Sequence, residues 1–351
     1  MAVLTIDLKK IGHNSALVSR HARALGLSIY GVTKVLSGAW QVAQTLKNSG
    51  VEAIADSRLM NIAAMREANI PGPYVLLRLP AISEAEQVVV LADISLNSDL
   101  DTCQALSKAA IKLGVRHRVI LMVDLGDLRE GIWPSEFLAF LKSVQSLPGI
   151  EVYGIGTNLT CYGGVFPDEK NLGQLISLKE QSQAILGHDL LVSGGNSSTL
   201  SLLFENNFPV GITNLRIGEG IILGRETMRR EPVAGAYLDA CILTAEIIEL
   251  REKPSVPVGT IGQDAFGNSP QFADRGVRKR AILALGRQDT VPEGLDPHLT
   301  GALILGASSD HLIVDVTDSP AVRTGDTLSF SLGYGALLAA STSRYVKKEF
   351  I

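Results

Sequence analysis

The sequence predicts an α/β fold, a (β/α)8 TIM barrel followed by a C-terminal, mostly β domain. Residues 28–224 alternate short β-rich runs with longer stretches in which apolar residues recur at helical spacing. After Ala236 helical stretches become scarce, and strand-like runs follow one another between Gly, Pro and Asp turns. We therefore expect a barrel over residues 7–234 and a β domain over residues 235–351. Residues 1–6 are expected to join the β domain, because the chain ends of a domain often lie close together.

The first region contains about eight candidate strands, the number that a closed (β/α)8 barrel requires. An open doubly wound sheet would alternate in the same way, so periodicity alone leaves both arrangements open. Between the strands lie amphipathic stretches such as Leu100–Leu113. The candidate strands are Ile29–Val32, Glu52–Ala55, Tyr74–Leu79, Asp93–Leu96, Arg118–Asp124, Glu151–Thr157, Leu190–Ser193 and Thr213–Ile217.

The second domain is predicted from apolar runs of strand length that are bounded by turn residues. The N-terminal run Val3–Ile6 has the same character and is assigned to this domain. The other runs are Cys241–Glu249, Ala281–Leu285, Ala302–Leu305, Leu312–Val316 and Thr327–Leu332.

The composition is typical of a globular enzyme. The 351 residues are 46% hydrophobic and 19% charged, which excludes a disordered chain and suits one large domain with a smaller one. The net charge of −4 argues against nucleic acid as the main partner. The cations between Arg275 and Arg280 are interpreted as a solvated edge.

The cysteines and the apolar runs bear on the compartment. Cys103, Cys161 and Cys241 are widely spaced and form no CxxC pair, which is typical of a reducing compartment and gives no structural metal site. No apolar run approaches the ~18 residues of a membrane span. Asp7 and two lysines stand where a signal peptide would need an apolar stretch. The sequence therefore predicts a cytoplasmic protein with no membrane partner.

Three strand ends in the predicted barrel carry residues that suit one cofactor. Lys34 follows the first candidate strand, Gly194–Ser198 follows the seventh, and Gly218–Gly220 follows the eighth. Barrel enzymes build their sites at the carboxyl ends of the strands, and phosphate commonly lies by the last two loops. Pyridoxal phosphate needs an amine for its aldehyde, and backbone N–H groups and hydroxyls for its phosphate. Each feature alone is ordinary, because most lysines are exposed cations and most Gly-rich turns are only turns.

Arg216 lies two residues before Gly218 and has two interpretations. As a structural residue it would form a salt bridge at the barrel rim. Beside pyridoxal phosphate it would face the pyridine nitrogen and keep that nitrogen unprotonated, since a guanidinium is effectively always protonated. The ring would then be a weaker electron sink, which favours brief carbanion formation over side reactions.

Further motifs lie along nearly the whole chain, and their order and spacing together are similar to those of one enzyme family. The second-domain segments 284–289 and 308–310 resemble a glycine-tyrosine-alanine-aspartate segment and a cysteine-methionine-aspartate turn of the alanine racemase family, pyridoxal-phosphate enzymes of fold type III. Residues 306–311 and 333–335, with Asp289, look closest to its ornithine and broad-specificity amino-acid racemase branch. The first-domain motifs that carry the resemblance are Val32-Thr33-Lys34, Val123–Arg129, Thr157-Asn158, Asn196-Ser197 and Arg216-Ile217-Gly218.

The resemblance implies a role for each matching residue. Lys34 would hold the cofactor covalently and exchange the α-proton on one face of the substrate. Arg129 would orient the substrate carboxylate or the opposite base. The substrate would lie between the barrel and the β domain of a second subunit, so the resemblance implies a homodimer that acts on a small amino acid. The other cofactor-binding residues would be Asn158 against the ring, Arg216 at the pyridine nitrogen, and Asn196, Ser197, Gly218 and Glu219 around the phosphate.

The chain departs from the family pattern at three positions. Met122 stands where alanine racemases carry a lysine that is often carbamylated, so Arg129 must be held differently. Asn158 replaces a histidine. The tyrosine that serves as second base has no match, because Phe266 in its region cannot transfer protons. Asp264 is the candidate for that base, and Tyr334 and Ser309 are weaker ones; Ser309, Asp310 and Tyr334 are also expected to contact the substrate.

The leading hypothesis is a two-base amino-acid racemase for ornithine, lysine or a broad range rather than alanine alone. A non-catalytic pyridoxal-phosphate homeostasis protein is an alternative, but such carriers lack the β domain after Ala236. A decarboxylase or aldolase of the same fold would need a glutamate-serine-glycine-aspartate motif with a cysteine, or a metal-binding histidine–aspartate pair. Asp310 and His311 are adjacent rather than suitably spaced. A barrel enzyme for phosphorylated sugars would leave Arg216 without a purpose.

Overall fold

The structure is a computed structural model that describes residues 2–351. The chain divides into two compact units, each defined by the contacts among its own residues. One unit is Leu8–Leu238, and the other is Asp239–Ile351 together with residues 2–7.

The first unit contains a closed barrel of eight parallel strands, which confirms the predicted fold class. Strand β1 (Val3–Ile6) precedes these strands in the chain. The last barrel strand pairs with the first, so that Tyr30 lies opposite Arg216 and Gly31 lies opposite Ile217. An open doubly wound sheet is therefore ruled out. The barrel strands are β2 (Ser28–Val32), β3 (Ala53–Asp56), β4 (Tyr74–Leu76), β5 (Ile94–Asn97), β6 (His117–Val123), β7 (Ile150–Thr157), β8 (Leu191–Ser193) and β9 (Asn214–Ile217).

The barrel strands read as continuous apolar runs because both of their faces are covered. Every residue of β3, β5 and β9 is buried. Tyr30, Val75, Leu96 and Met122 belong to one cluster of buried side chains contributed by several strands, as expected for the filled interior of such a barrel. Burial is the main factor that raises the pKa of the Tyr30 hydroxyl. Met122 is thus a packing residue, and it offers no charged group to Arg129.

The first unit contains nine α-helices: the first helix precedes the first barrel strand, and the others connect the strands or follow the last one. Two have side-chain N-caps: Asp99 accepts from the N–H of Thr102, and Asp168 forms a capping box with Asn171. Within residues 2–351, no helix is both long and apolar enough to cross a membrane. The helices are α1 (Leu8–Ala24), α2 (Trp40–Asn48), α3 (Leu59–Glu67), α4 (Ala85–Leu91), α5 (Leu100–Lys112), α6 (Phe137–Gln145), α7 (Glu169–Leu186), α8 (Leu200–Phe204) and α9 (Glu219–Ile222).

The second unit is an antiparallel sheet system with one helix, α10 (Tyr334–Thr342). Its strand order is β12-β15-β10-β11-β14-β13, and β1 pairs antiparallel with β10 and parallel with β16. The strands are β10 (Cys241–Pro254), β11 (Val277–Leu283), β12 (Leu295–Pro297), β13 (Leu303–Ala307), β14 (Leu312–Asp315), β15 (Thr327–Leu332) and β16 (Lys347–Phe350).

Several strands of the second unit differ from the sequence expectation. Strand β10 is 14 residues long and continues to Pro254, because its outer half pairs with β11 after a register shift between Ile247 and Glu249. The cations of residues 275–280 lie partly in β11, where Arg278 pairs with Asp315 at 2.8 Å. The strands β12 and β16 were not predicted. They have only 3 and 4 residues, which is too short for an alternation of apolar and polar residues to be recognised.

Candidate active site

Lys34 lies at the carboxyl end of β2, in a short turn whose shape is fixed by its neighbours. The Thr33 hydroxyl donates to Asp56 Oδ2 at 2.7 Å, and the Thr33 N–H donates to the carbonyl of Ala55 at 3.0 Å. Asp56 also accepts from Asn61 Nδ2 at 2.9 Å. Burial raises the pKa of the Asp56 carboxyl, and the hydrogen bonds from Thr33 and Asn61 oppose that rise. These bonds join the ends of β2 and β3 and fix the half-buried Lys34 at the barrel mouth.

The loops after β8 and β9 are tied to each other by side chains. The Ser197 hydroxyl accepts from the Gly220 N–H at 3.0 Å, and Asn196 Oδ1 accepts from the Ser198 N–H at 2.8 Å. Gly195 adopts φ +137°, which other residues rarely tolerate. At Gly220 a Cβ atom would lie 2.1 Å from Leu200 Cδ1. The backbone at Gly220 can therefore lie close to Leu200 and Ser197 because residue 220 has no side chain.

Arg216 is buried in the barrel wall, with 4% of its surface exposed. Its Nη1 donates to Ser193 Oγ at 2.5 Å, and its Nη2 donates to the carbonyl of Thr157 at 2.6 Å. The Ser193 hydroxyl donates in turn to Asn214 Oδ1 at 2.7 Å. Burial lowers the pKa of the Arg216 guanidinium to about 10, so it stays charged at neutral pH. A rim salt bridge is not what holds it.

The loops after β6 and β7 are joined through a buried carboxylate. Asp127 accepts hydrogen bonds from the N–H groups of Cys161, Tyr162 and Val165 at 3.1, 3.0 and 3.3 Å. Arg129, in the same loop as Asp127, forms an ion pair with its neighbour Glu130. Among the charged groups near Arg216, Glu130 has the largest effect and raises the pKa of the guanidinium. Glu130 therefore also lies at this end of the barrel.

Asn158 connects the β7 loop to the β8 loop. Asn196 Nδ2 donates to Asn158 Oδ1 at 3.0 Å, to the carbonyl of Leu159 at 2.8 Å and to Cys161 Sγ at 3.3 Å. Lys34, Asn158, Asn196, Ser197, Arg216, Gly218 and Glu219 thus all lie at the carboxyl ends of barrel strands or in the loops that follow them.

Known proteins with a similar sequence and fold identify the family of this chain. The family model for the N-terminal domain of alanine racemase matches residues 6–225. The chain belongs to the alanine racemase family. Its fold agrees with that of solved members: the alanine racemase from Bartonella henselae with covalently bound pyridoxal phosphate superposes with a TM-score of 0.76 at 19% identity, over 100% of this chain and 99% of that one.

Two relatives match over almost their whole length. An ornithine racemase from Acetoanaerobium sticklandii is 45% identical over 351 residues, which cover 99% of each chain. A lysine racemase from Thermotoga maritima is 40% identical over 348 residues, which cover 99% of this chain and 98% of the relative. The protein is therefore an amino-acid racemase that uses pyridoxal phosphate, which confirms the predicted enzyme class and cofactor.

The site of this racemase has groups that fit pyridoxal phosphate. Asn158 Nδ2 and Ser198 Oγ are buried and have no hydrogen-bond partner within residues 2–351, although buried polar groups are normally paired. They lie in the β7 and β8 loops, beside Asn196 and Ser197. An amine, a charged guanidinium and unsatisfied donors at one barrel mouth match an aldehyde, a ring nitrogen and a phosphate.

Glu219 forms an ion pair with Arg230 within the barrel unit of the racemase. Burial raises the pKa of the Glu219 carboxyl to about 7, while the positive charges of Arg230 and Lys34 oppose that rise. Lys34 is therefore close enough to Glu219 to influence its charge.

Four candidate residues lie in the second unit of the racemase. Asp264 is in an exposed loop, where its Oδ1 accepts from the N–H groups of Phe266 and Asn268 at 2.9 and 2.8 Å. These bonds lower its pKa, so the carboxylate is a weak base. Ser309 donates to Asp310 Oδ2 at 2.7 Å, and Tyr334 begins α10.

Arg287 brings the Asp264 loop near the turn that carries Ser309. Its guanidinium lies 5.2 Å from the Phe266 ring centroid, and its Nε donates to the carbonyl of Ala307 at 3.3 Å. The neighbouring Gln288 donates to Asp310 Oδ1 at 2.7 Å. Asp264, Ser309 and Asp310 are therefore neighbours through Arg287 and Gln288.

Several residues of the site were missed in the sequence. Ser193 and Asn214 lie inside short strands, and Asp127 lies two residues before the recognised Arg129. An acidic residue beside Arg129, Glu130, was a readable signal, because Met122 cannot supply the negative charge that Arg129 needs. The partners of Ser193 had no such signal, since they depend on the register of β8 against β9.

Proposed function

We propose that this racemase interconverts the L and D forms of ornithine and lysine in preference to alanine. The observation that carries the proposal is the pair of relatives at 45% and 40% identity over nearly the full chain, one an ornithine racemase and the other a lysine racemase. Both relatives act on amino acids with a basic side chain. A site that recognises such a side chain rejects shorter substrates, because its polar groups would be left unpaired.

The bound cofactor would withdraw electrons from the substrate and so make the α-hydrogen acidic. Lys34 would attach the cofactor through its Nζ, and once released it would carry the α-proton at that atom. Arg216 would donate to the pyridine nitrogen while its other donors remain fixed by Ser193 and Thr157. Asn196 and Ser197, with the backbone of Gly218 and Glu219, would bind the phosphate, and Asn158 would lie against the ring.

Arg129 would bind the substrate carboxylate, and Glu130 would orient its guanidinium. The ion pair between these adjacent residues supports this role, because it gives Arg129 a carboxylate partner at the barrel mouth. A planar guanidinium can bind two carboxylates at once through different N–H groups. Glu130 thereby does what Met122 cannot do.

The second base is proposed to be Asp264, with Ser309, Asp310 and Tyr334 contacting the substrate. Two hydrogen bonds keep the Asp264 carboxylate ionised and therefore free to take a proton, but they also lower its pKa and make it a weak base, so it would depend on the bound cofactor to make the α-hydrogen acidic. Replacing Asp264 by Asn is expected to slow turnover from one enantiomer more than from the other. An equal, mild loss in both directions would exclude Asp264.

We propose further that the protein is a cytoplasmic homodimer in which the β domain of residues 235–351, with residues 1–6, contributes to the substrate site and the subunit contact of the barrel domain, residues 7–234. The three free cysteines are consistent with a reducing compartment. Light scattering of the purified protein would give the mass of a dimer, and a monomeric mass with full activity would contradict the proposal.

The function is tested by a chiral assay with L-ornithine, L-lysine and L-alanine in deuterium oxide. We expect exchange of the α-hydrogen and formation of the D enantiomer with ornithine and lysine, and at least about tenfold lower kcat/KM with alanine. The Lys34→Ala variant should lose both the visible absorption of the bound cofactor and the exchange. Equal or better turnover of alanine would contradict the proposed specificity.

A further inference from the structure

The segment after α9 forms a loop of fixed shape that the proposed reaction does not use. Glu226 is buried, and its carboxylate accepts three backbone hydrogen bonds from the residues that follow it. Arg225 Nη1 donates to the carbonyl of Arg230 at 3.1 Å, which closes the loop from the other side. The three donors to Glu226 are the N–H groups of Met228, Arg229 and Glu231, at 2.7, 2.7 and 2.9 Å.

This loop directs the side chain of Arg230 to Glu219. Arg230 has a left-handed backbone with φ +63°, which an arginine adopts only when its surroundings impose it. Its guanidinium pairs with the Glu219 carboxylate, whose side chain is 12% exposed against 57% for Arg230. The pair is therefore made of a largely buried acid and a base that reaches it from the surface.

Glu219 is next to Gly218, whose backbone is part of the proposed phosphate site. An ionised carboxylate near a phosphate repels it, and the repulsion is strong where water is excluded. We propose that Arg230 neutralises Glu219 and thereby allows the cofactor phosphate to bind at the β9 loop. Arg230 is a positioning residue for cofactor retention, and this inference rests on the proposed function.

The test compares the affinity of the full-length protein for pyridoxal phosphate from pH 7 to pH 9.5. The pKa of Glu219 is about 7 with Arg230 present, and loss of Arg230 removes a charge that opposes the rise in this pKa, so the effect of the variant is read at pH 9.5. The other charges near Glu219 are Lys34 and Glu226. The Arg230→Met variant, which keeps the length of the side chain, should bind the cofactor about tenfold more weakly. The double variant Glu219→Gln/Arg230→Met should bind within about threefold of the wild type, because no charge is left to repel the phosphate.

Two controls separate this effect from a change in net charge. Arg229→Met removes one positive charge from the same loop, but Arg229 lies over the Phe166 ring at 5.7 Å rather than on Glu219, so the affinity should not change. Arg230→Lys keeps the charge and should retain most of the affinity. An equal loss in Arg229→Met would overturn the inference, as would a double variant that remains as weak as Arg230→Met.

Thermal melting of each variant shows whether it is folded. If Arg230→Met does not fold, the double variant is compared with Glu219→Gln: equal affinity supports the inference, and a further loss overturns it. A wild-type protein that binds no pyridoxal phosphate would refute the proposed function. If the Arg230→Met variant binds pyridoxal phosphate as tightly as the wild type, the role of Arg230 is overturned and the proposed function is unaffected.

Discussion

Arg216 is a buried cation whose neighbours accept its hydrogen bonds without neutralising its charge. Its Nη1 and Nη2 donate to Ser193 and to the Thr157 carbonyl, and neither acceptor carries a negative charge. Burial lowers its pKa only to about 10, so the guanidinium remains protonated at neutral pH. Polar but uncharged partners fix the orientation of Arg216 and leave its charge unneutralised, which the proposed contact with the pyridine nitrogen requires.

At this scale we predict the effect of replacing Ser193 by Ala. The change leaves Arg216 Nη1 and Asn214 Oδ1 without their shared hydroxyl, and an unsatisfied buried group costs about 1–3 kcal/mol. Denaturant unfolding should show a loss of that size, and Ser193→Thr, which keeps a hydroxyl, should recover part of it.

Ser182→Ala is the matched control for Ser193→Ala. Ser182 is equally buried, but its hydroxyl donates to the Leu178 carbonyl within its own helix at 2.6 Å. Alanine suits a helix interior, so this change should be nearly neutral. Equal stability losses in the two variants would mean that the bond from Ser193 to Arg216 has no special weight.

Among the elements, the loops at the barrel mouth are fixed more firmly than their sequences suggest. Asp127 in the β6 loop accepts three N–H groups of the β7 loop, and its own carbonyl accepts the Gly163 N–H at 3.0 Å. Asn196 joins the β7 loop to the β8 loop, and Ser197 joins the β8 loop to Gly220. Four successive strand ends therefore form one continuous hydrogen-bonded rim.

We predict that Asp127→Asn loosens this rim. An amide has one acceptor oxygen in place of two, so at least one of the loop N–H bonds is lost, at a cost of about 1.4 kcal/mol. Native-state hydrogen exchange of residues 161–165 should become about tenfold faster. Asp99→Asn, a change to the N-cap of α5, is the control and should leave that exchange unaltered. Unchanged exchange in Asp127→Asn would show that the other loop contacts suffice.

The sequence allowed the barrel to be predicted, and the structure has the candidate cofactor residues at or just after the ends of its strands, because each of these residues follows or ends an apolar run. Lys34 and Gly218 follow short apolar runs that are recognisable as strands in the sequence. The partners inside the strands could not be predicted, since Ser193 meets Asn214 only once the barrel is closed and its register is set. Helix α10 was missed because its apolar residues surround the helix and give no amphipathic period.

At the scale of the whole molecule, stability should depend on pH through a histidine in the barrel wall. His117 begins β6, and its Nε2 lies 2.8 Å from Ser95 Oγ in β5. Burial lowers the pKa of His117 from 6.5 to about 4. Between these values the unfolded chain binds a proton that the folded chain does not, so protons favour unfolding there. Stability from this group is complete above pH 6.5 and is lost as the pH falls towards 4.

We predict that the free energy of unfolding falls by about 3 kcal/mol between pH 6.5 and pH 4 on account of His117 alone, since one pKa unit is worth about 1.4 kcal/mol. Glu219, whose pKa is raised, acts in the opposite direction over part of this range. The His117→Gln variant shares Glu219 but not the titrating imidazole. Its stability should therefore approach that of the wild type as the pH falls, in urea unfolding at each pH. A constant difference between the two proteins from pH 7 to pH 4 would show that the imidazole is free to take up a proton in the folded barrel.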